Sequence, residues 1–163
     1  MSVQTNLPLA QGLYDPTREH DACGVAFVAT LTGAGSHGVI AKALTALRNL
    51  DHRGASGSEP DSGDGAGILL QVPDTFLRAN VAFELPPVGQ YAVGNAFLPQ
   101  TDTQVAANKS AVERIARDEG LVVLGWRTVP TDPSSVGMTA QSVMPNFEQL
   151  FLSSPQGISG LAL

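Results

Sequence analysis

The sequence predicts one globular domain of the α+β class, and three observations support this prediction. The 163 residues are enough for one ordinary domain but too few for two. Apolar residues make up 43% of the chain and charged residues 15%, which leaves ample apolar material for a core. The apolar patterns predict strand, helix, strand, short helix, strand, helix, strand and strand in that order, without the regular alternation of a parallel α/β sheet.

The first half of the chain is predicted to contain two strands and two helices. The run GVAFVAT at 24–30 is typical of a short buried strand. Ser36 stands at an N-cap position before a helix whose apolar residues fall at helical spacing. These residues are Val39, Ile40, Ala43, Leu44, Leu47 and Leu50. A second strand is predicted at 68–72, and a short helix at 74–81.

A glycine-rich loop, GASGSEPDSGDGAG, is predicted at 54–67. A loop of this length in a compact domain commonly serves a site or a partner, and a flexible connector is the alternative. A phosphate-binding role is disfavoured because the loop has no Lys or Arg and contains acidic residues. A calcium loop is disfavoured because the spacing of Asp61 and Asp64 does not fit one.

The second half is predicted to contain three strands and one long helix. The strands are expected at 91–98, 121–129 and 146–153. The helix is expected at 102–119, because Gly120 is a natural C-terminal stop. Its apolar side is formed by Val105, Val112, Ile115 and Ala116. Residues 131–145 are predicted to be a polar connector before the last strand.

The charge and the cysteine content exclude several classes of function. Nine Lys and Arg residues against fifteen Asp and Glu residues give a net charge of −6, which disfavours nucleic-acid binding. A single cysteine excludes an intrachain disulfide and any zinc or iron–sulfur site built from several cysteines of this chain, so we predict no metal site and a cytoplasmic location. Neither a membrane span nor a secretory signal is recognisable.

Cys23 is the strongest candidate for a catalytic nucleophile. It lies where a polar leader meets the first predicted strand, and Gly24 beside it lets a ligand approach closely. Cleavage between Ala22 and Cys23 would give one residue both a thiol and a free α-amine. Their pKa values, about 8.5 and about 7.7–8.0, make proton exchange between them nearly balanced. The alternative is that Cys23 is a small buried apolar residue.

The motif Asp51-His52-Arg53-Gly54 follows the first predicted helix. One interpretation is helix capping, in which the cations favour the negative end of the helix dipole and Gly54 takes the left-handed C′ position. The other interpretation is functional, because a cap of this kind also fixes the direction of the Arg53 guanidinium. The residues alone leave both interpretations open.

Three stretches together are similar to the start of the large subunit of the glutamate synthases. They are GLYDPTREHDACGVAFVA, SHGVIAKALTALRNLDHRGA and SGDGAGILLQVPDTFL. The later strands and helix resemble the continuing glutamine amidotransferase domain of that family. The resemblance implies a four-layered α/β/β/α fold of the N-terminal-nucleophile type, incomplete in this chain. It also implies that residues 1–22 are a leader to be removed and that residues 23–163 are a truncated, N-terminal part of the domain.

The resemblance implies glutamine hydrolysis, with the ammonia used for reductive glutamate synthesis from 2-oxoglutarate. Cys23 would attack the side-chain amide carbon of glutamine, and its α-amine would serve as base and then as acid. Arg53 would position the cysteine, and Gly24 would leave room for the substrate. Besides glutamine, the implied partners are the rest of the large subunit and either a small NADPH-linked subunit or ferredoxin. Whole family proteins use FMN and an iron–sulfur cluster, but no cofactor is expected on this segment.

Two motifs of the family are missing from the 163 residues, namely the RFSTN-type substrate arginine and the oxyanion Asn-Gly pair. One lost oxyanion donor costs about 2.7–4 kcal/mol of transition-state stabilisation, so the chain by itself is expected to be an inactive fragment. The alternative is a non-catalytic interaction or regulatory fragment. A redox-sensing thiol protein is disfavoured, because a second cysteine to resolve the oxidised thiol is missing.

Overall fold

The computed structural model describes residues 11–12, 24–50, 63 and 65–159. The chain divides into two compact units, residues 1–69 and 70–163, whereas its length predicted a single one. Helices and strands are both present, as predicted for a mixed fold. They are α1 (His37–Asn49), α2 (Asp74–Asn80), β1 (Tyr91–Leu98), α3 (Asp102–Asp118), β2 (Val122–Thr128), α4 (Met138–Ser142) and β3 (Asn146–Ser153). No helix within this described part is long and apolar enough to cross a membrane.

Among the described residues of the first unit, helix α1 is the one helix or strand, and it confirms the predicted helix. It begins after Ser36, whose extended backbone (φ −152°, ψ 153°) makes it the N-cap. It ends at Leu50 as C-cap, and Arg48 places a positive charge in the last turn, where the helix dipole favours it. Half-buried residues recur every three or four positions along it. They are Val39, Ile40, Ala43, Ala46, Leu47 and Leu50.

The predictions of strands at 24–30 and 68–72 are wrong, because neither segment forms a strand. Val25 is 88% exposed and Phe27 is 94% exposed, so the apolar side chains of the first segment have no cover among the described residues. A strand is stabilised by a backbone ladder and by side chains on a neighbouring strand. An apolar run supplies the composition of a strand, but it does not supply that neighbour.

Strand β3 lies at the centre of a three-stranded sheet in the second unit, in the order β1-β3-β2. It is antiparallel to both neighbours, and the register runs from Tyr91 opposite Ser153 to Leu98 opposite Asn146 on the β1 side. On the β2 side, the register shifts between Val123 and Gly125, which is a β-bulge. The outer strands β1 and β2 are therefore parallel to each other. Helix α3 connects them in the sequence, and the place between them in the sheet is filled by β3.

One face of this sheet, which we call the aromatic face, carries the core of the second unit. The register places Tyr91, Phe151 and Gly125 on this face. Phe151 is fully buried, and its ring meets the ring of Phe83 edge to face at 5.2 Å. Leu77 of α2, which is 2% exposed, joins the same cluster. Helix α2 and the segment that follows it therefore cover this part of the sheet.

Helix α3 covers the opposite face, through polar contacts as well as apolar ones. Lys109 pairs with Glu148 of β3 at 2.6 Å, and the indole nitrogen of Trp126 in β2 donates to Glu113 at 2.8 Å. The Lys109 ammonium also lies 4.8 Å from the centre of the Trp126 ring. Long polar side chains cover apolar surface with their stems while their charged ends find partners.

The predicted apolar side of this helix is only partly correct. Ala116 is buried and Val105 is half-buried. Val112 and Ile115, in contrast, are 37% and 52% exposed. The helix turns Lys109 and Glu113 toward the sheet instead, because both side chains have partners on the strands.

The connector predicted at 131–145 contains the short helix α4 and is therefore not wholly irregular. A side chain within the segment stabilises it: the amide nitrogen of Gln141 donates to the carbonyl oxygens of Pro133 and Val136, at 3.1 and 2.6 Å. These bonds satisfy carbonyl groups of the turn that precedes the helix. Apolar periodicity does not reveal a helix of five residues held in this way.

Substitution of Gly125 by alanine should destabilise the chain, because a Cβ atom there would lie 2.5 Å from the ring of Phe83. Relieving such an overlap costs about 1–3 kcal/mol of unfolding free energy. Gly94→Ala is the matched control, since a Cβ atom at this β1 glycine meets nothing within 4 Å. Urea denaturation should show a lower midpoint for Gly125→Ala alone. Equal midpoints for the two variants would contradict this packing.

Candidate active site

The structure places the predicted site residues only in part. Cys23 and Arg53 lie outside the described residues. Gly24 is described and is exposed. The described chain therefore comprises the flanks of the predicted site, residues 24–30 after Cys23 and α1 before Arg53.

The end of α1 bears on the two interpretations of the motif at residues 51–54. The helix ends at Asn49 with Leu50 as C-cap, and the Leu50 amide donates to the Leu47 carbonyl at 3.1 Å. Residues 51–54 themselves lie outside the described residues, so the motif begins directly after the end of the described helix.

A cluster of Asp74, Arg78 and Tyr91 is the best-connected group of titratable side chains among the described residues. One Asp74 oxygen accepts from the Tyr91 hydroxyl at 2.9 Å, and the other accepts from Arg78 Nε at 2.9 Å. Arg78 also donates to the carbonyl oxygens of Leu85 and Pro86. The guanidinium thereby fixes the loop that leads from α2 into β1. All these partners belong to the fold, so the cluster is structural.

The hydrogen bonds of this cluster shift the pKa values of its members. Burial raises the pKa of Tyr91 to about 12, and the hydrogen bond to Asp74 and its negative charge act in the same direction. The pKa of Asp74 is lowered, chiefly by the hydrogen bond from Arg78. The pKa of Arg78 is raised, chiefly by the hydrogen bond to Asp74.

These shifts fix the pH range in which the cluster stabilises the fold. Since the folded-state pKa of Tyr91 lies above its ordinary value of 10.0, its contribution is present below pH 10.0 and is lost as the pH rises through about 12. The lowered pKa of Asp74 affects the stability of the fold at acidic pH. The contribution of Asp74 to the free energy of unfolding is present above pH 3.8, its ordinary pKa, and is lost as the pH falls through the folded-state pKa.

A cleft of about 270 Å³ lies where α3 begins and where β2 and β3 have their ends. Its polar lining comes from Asp102, Thr128, Thr131, Asn146 and Glu148. Glu148 already pairs with Lys109, and the lining includes neither cysteine nor histidine. No cluster of three or more His, Cys, Asp or Glu residues suited to a metal ion occurs in the described part of the chain. The cleft thus offers neither a thiol nor an imidazole.

The Asp74 cluster and the contacts of Lys109 are not among the features predicted from the sequence. The spacing of four residues between Asp74 and Arg78 is a readable signal for an ion pair on a helix. The hydrogen bond from Tyr91 spans 17 positions, and the pair of Lys109 with Glu148 spans 39. Such contacts depend on how elements pack, and no local pattern signals them.

Comparison with known proteins gives a family match along most of the chain. A family described as class-II glutamine amidotransferases matches residues 23–163. The match therefore begins at Cys23 and includes Gly24, Arg53 and the whole of the described second unit.

Individual relatives are much longer than this chain. The glutamate synthase (NADPH) large chain of Bacillus subtilis is 43% identical over 147 residues, which is 90% of this chain and 10% of the relative. The ferredoxin-dependent glutamate synthase 1 of Arabidopsis thaliana is 42% identical over 89% of this chain and 9% of its own length. The glutamate synthase (NADH) of Schizosaccharomyces pombe is 41% identical over 88% of this chain and 7% of its own length. The chain thus spans a tenth or less of these relatives.

Tyr91 should ionise in the folded chain with a midpoint at about pH 12. Asp74→Asn should lower that midpoint but leave it above 10.0, because the substitution removes the negative charge while the burial remains. The absorbance of the phenolate measures both midpoints, and Tyr91→Phe separates its signal from that of Tyr14. A midpoint at 10.0 in the unsubstituted chain, or one unaffected by Asp74→Asn, would contradict the assignment.

Proposed function

The chain belongs to the class-II glutamine amidotransferases, and we propose on this basis that it hydrolyses glutamine to supply ammonia, with Cys23 as the nucleophile. The observation that carries the proposal is the family match, which begins at Cys23 itself. The three relatives named above support the same activity, since all three are glutamate synthases. The cysteine is also the only one in the chain, so no other thiol competes for the role.

The proposed first step joins the Cys23 sulfur to the side-chain amide carbon of glutamine. The α-amine of Cys23, free once residues 1–22 are removed, takes the thiol proton. An α-amine with a pKa of about 7.7–8.0 titrates just above neutral pH and therefore suits both directions of proton transfer. The carbon–nitrogen bond then breaks, the amine returns the proton to the leaving nitrogen, and ammonia departs. A thioester remains on Cys23.

In the second step water attacks the thioester. The α-amine accepts a proton from the water, the carbon–sulfur bond breaks, and the sulfur regains its proton as glutamate leaves. Atoms balance over the cycle: glutamine and water give glutamate and ammonia. Gly24 beside the nucleophile is exposed and adds no side chain, which leaves room for the substrate. Arg53 is proposed as a positioning residue for Cys23, because it lies within the family match and its motif resembles the one that has this role in the family.

We also propose the four-layered α/β/β/α fold of the family for the domain that contains this chain, with residues 1–22 as its leader. The helices, strands and central sheet of the second unit are compatible with one part of such a fold. The family's substrate arginine and oxyanion Asn-Gly pair are not among the 163 residues. We therefore expect the chain by itself to turn over glutamine slowly.

The whole-protein activity that we propose is reductive glutamate synthesis from 2-oxoglutarate with the ammonia released here. An iron–sulfur cluster does not fit the residues of this chain, because one cysteine cannot supply the several thiolates that hold a cluster. We assign the cluster, and the FMN of the whole-protein activity, to other parts of a synthase. The names of the relatives give NADPH, NADH and ferredoxin as electron sources, so the proposed partner is either an NADPH-linked small subunit or ferredoxin.

Cys23→Ala, in a full-length synthase that contains this sequence, should abolish glutamine-dependent glutamate formation and retain ammonia-dependent formation. Removal of the thiol prevents the thioester but leaves the synthase centre intact. Initial rates with glutamine or with ammonium salts as nitrogen source measure the two activities. The intact mass of the unsubstituted protein should show that the chain begins at Cys23. Equal survival of both activities, or a chain that retains residues 1–22 while hydrolysing glutamine, would overturn the assignment.

Arg53→Ala in the same protein should lower kcat/KM for glutamine by up to about a hundredfold, because a displaced nucleophile reacts slowly. Arg53→Lys should give an intermediate value, since it keeps the charge without the planar guanidinium. Arg48→Ala is the matched control, since Arg48 is an exposed arginine in the last turn of α1. Unchanged glutamine kinetics in Arg53→Ala, or an equal loss of ammonia-dependent activity, would remove Arg53 from the site.

A further inference from the structure

We draw no further inference here: the strongest candidate, the apolar patch that Phe97 and Phe147 form on the aromatic face of the sheet, carries nothing, because this face is an inner one in the α/β/β/α arrangement proposed above and nothing in the described part of the chain shows what covers it.

Discussion

The central position of β3 is the constraint on which the second unit depends. β3 pairs along its whole length with β1 and, across a bulge, with β2, while those two strands are separated by it. The same strand supplies Phe151 to the core and Glu148 to the contact with α3. Backbone pairing, core packing and helix docking therefore meet on eight consecutive residues.

The alternation of side chains along β3 assigns a different chemistry to each face of the sheet. One face receives α3 through Glu148, and the other carries the aromatic core around Phe151 and the hydrogen bonds of Gln149 with Arg127 and Asn95. The proposed hydrolysis rests on Cys23 and Arg53, which belong to the residues of the first unit.

How much of this structure could be predicted from the sequence depends on how far apart in the sequence the interacting residues lie. Tyr91–Leu98 and Asn146–Ser153 match their predicted strands residue for residue, because the apolar runs there meet a neighbouring strand. Residues 24–30 are as apolar and form no strand, since periodicity describes one segment and pairing requires two. The motif at Cys23 is likewise readable from local sequence, and its role stays a prediction. The Arg127 contacts are not readable, because they join residues 22 and 47 positions apart.

The chain order of the sheet has a consequence for folding during synthesis. The two outer strands are made first, and the strand that joins them is the last of the three to emerge from the ribosome. Before residues up to about 153 have been synthesised, the strand with which β1 and β2 form their backbone hydrogen bonds is missing. Only the helix α3 and local contacts can form by then. Closing such long loops slows folding and leaves unpaired strand edges exposed meanwhile. The nascent chain is therefore most vulnerable to aggregation in the interval before β3 inserts between its neighbours.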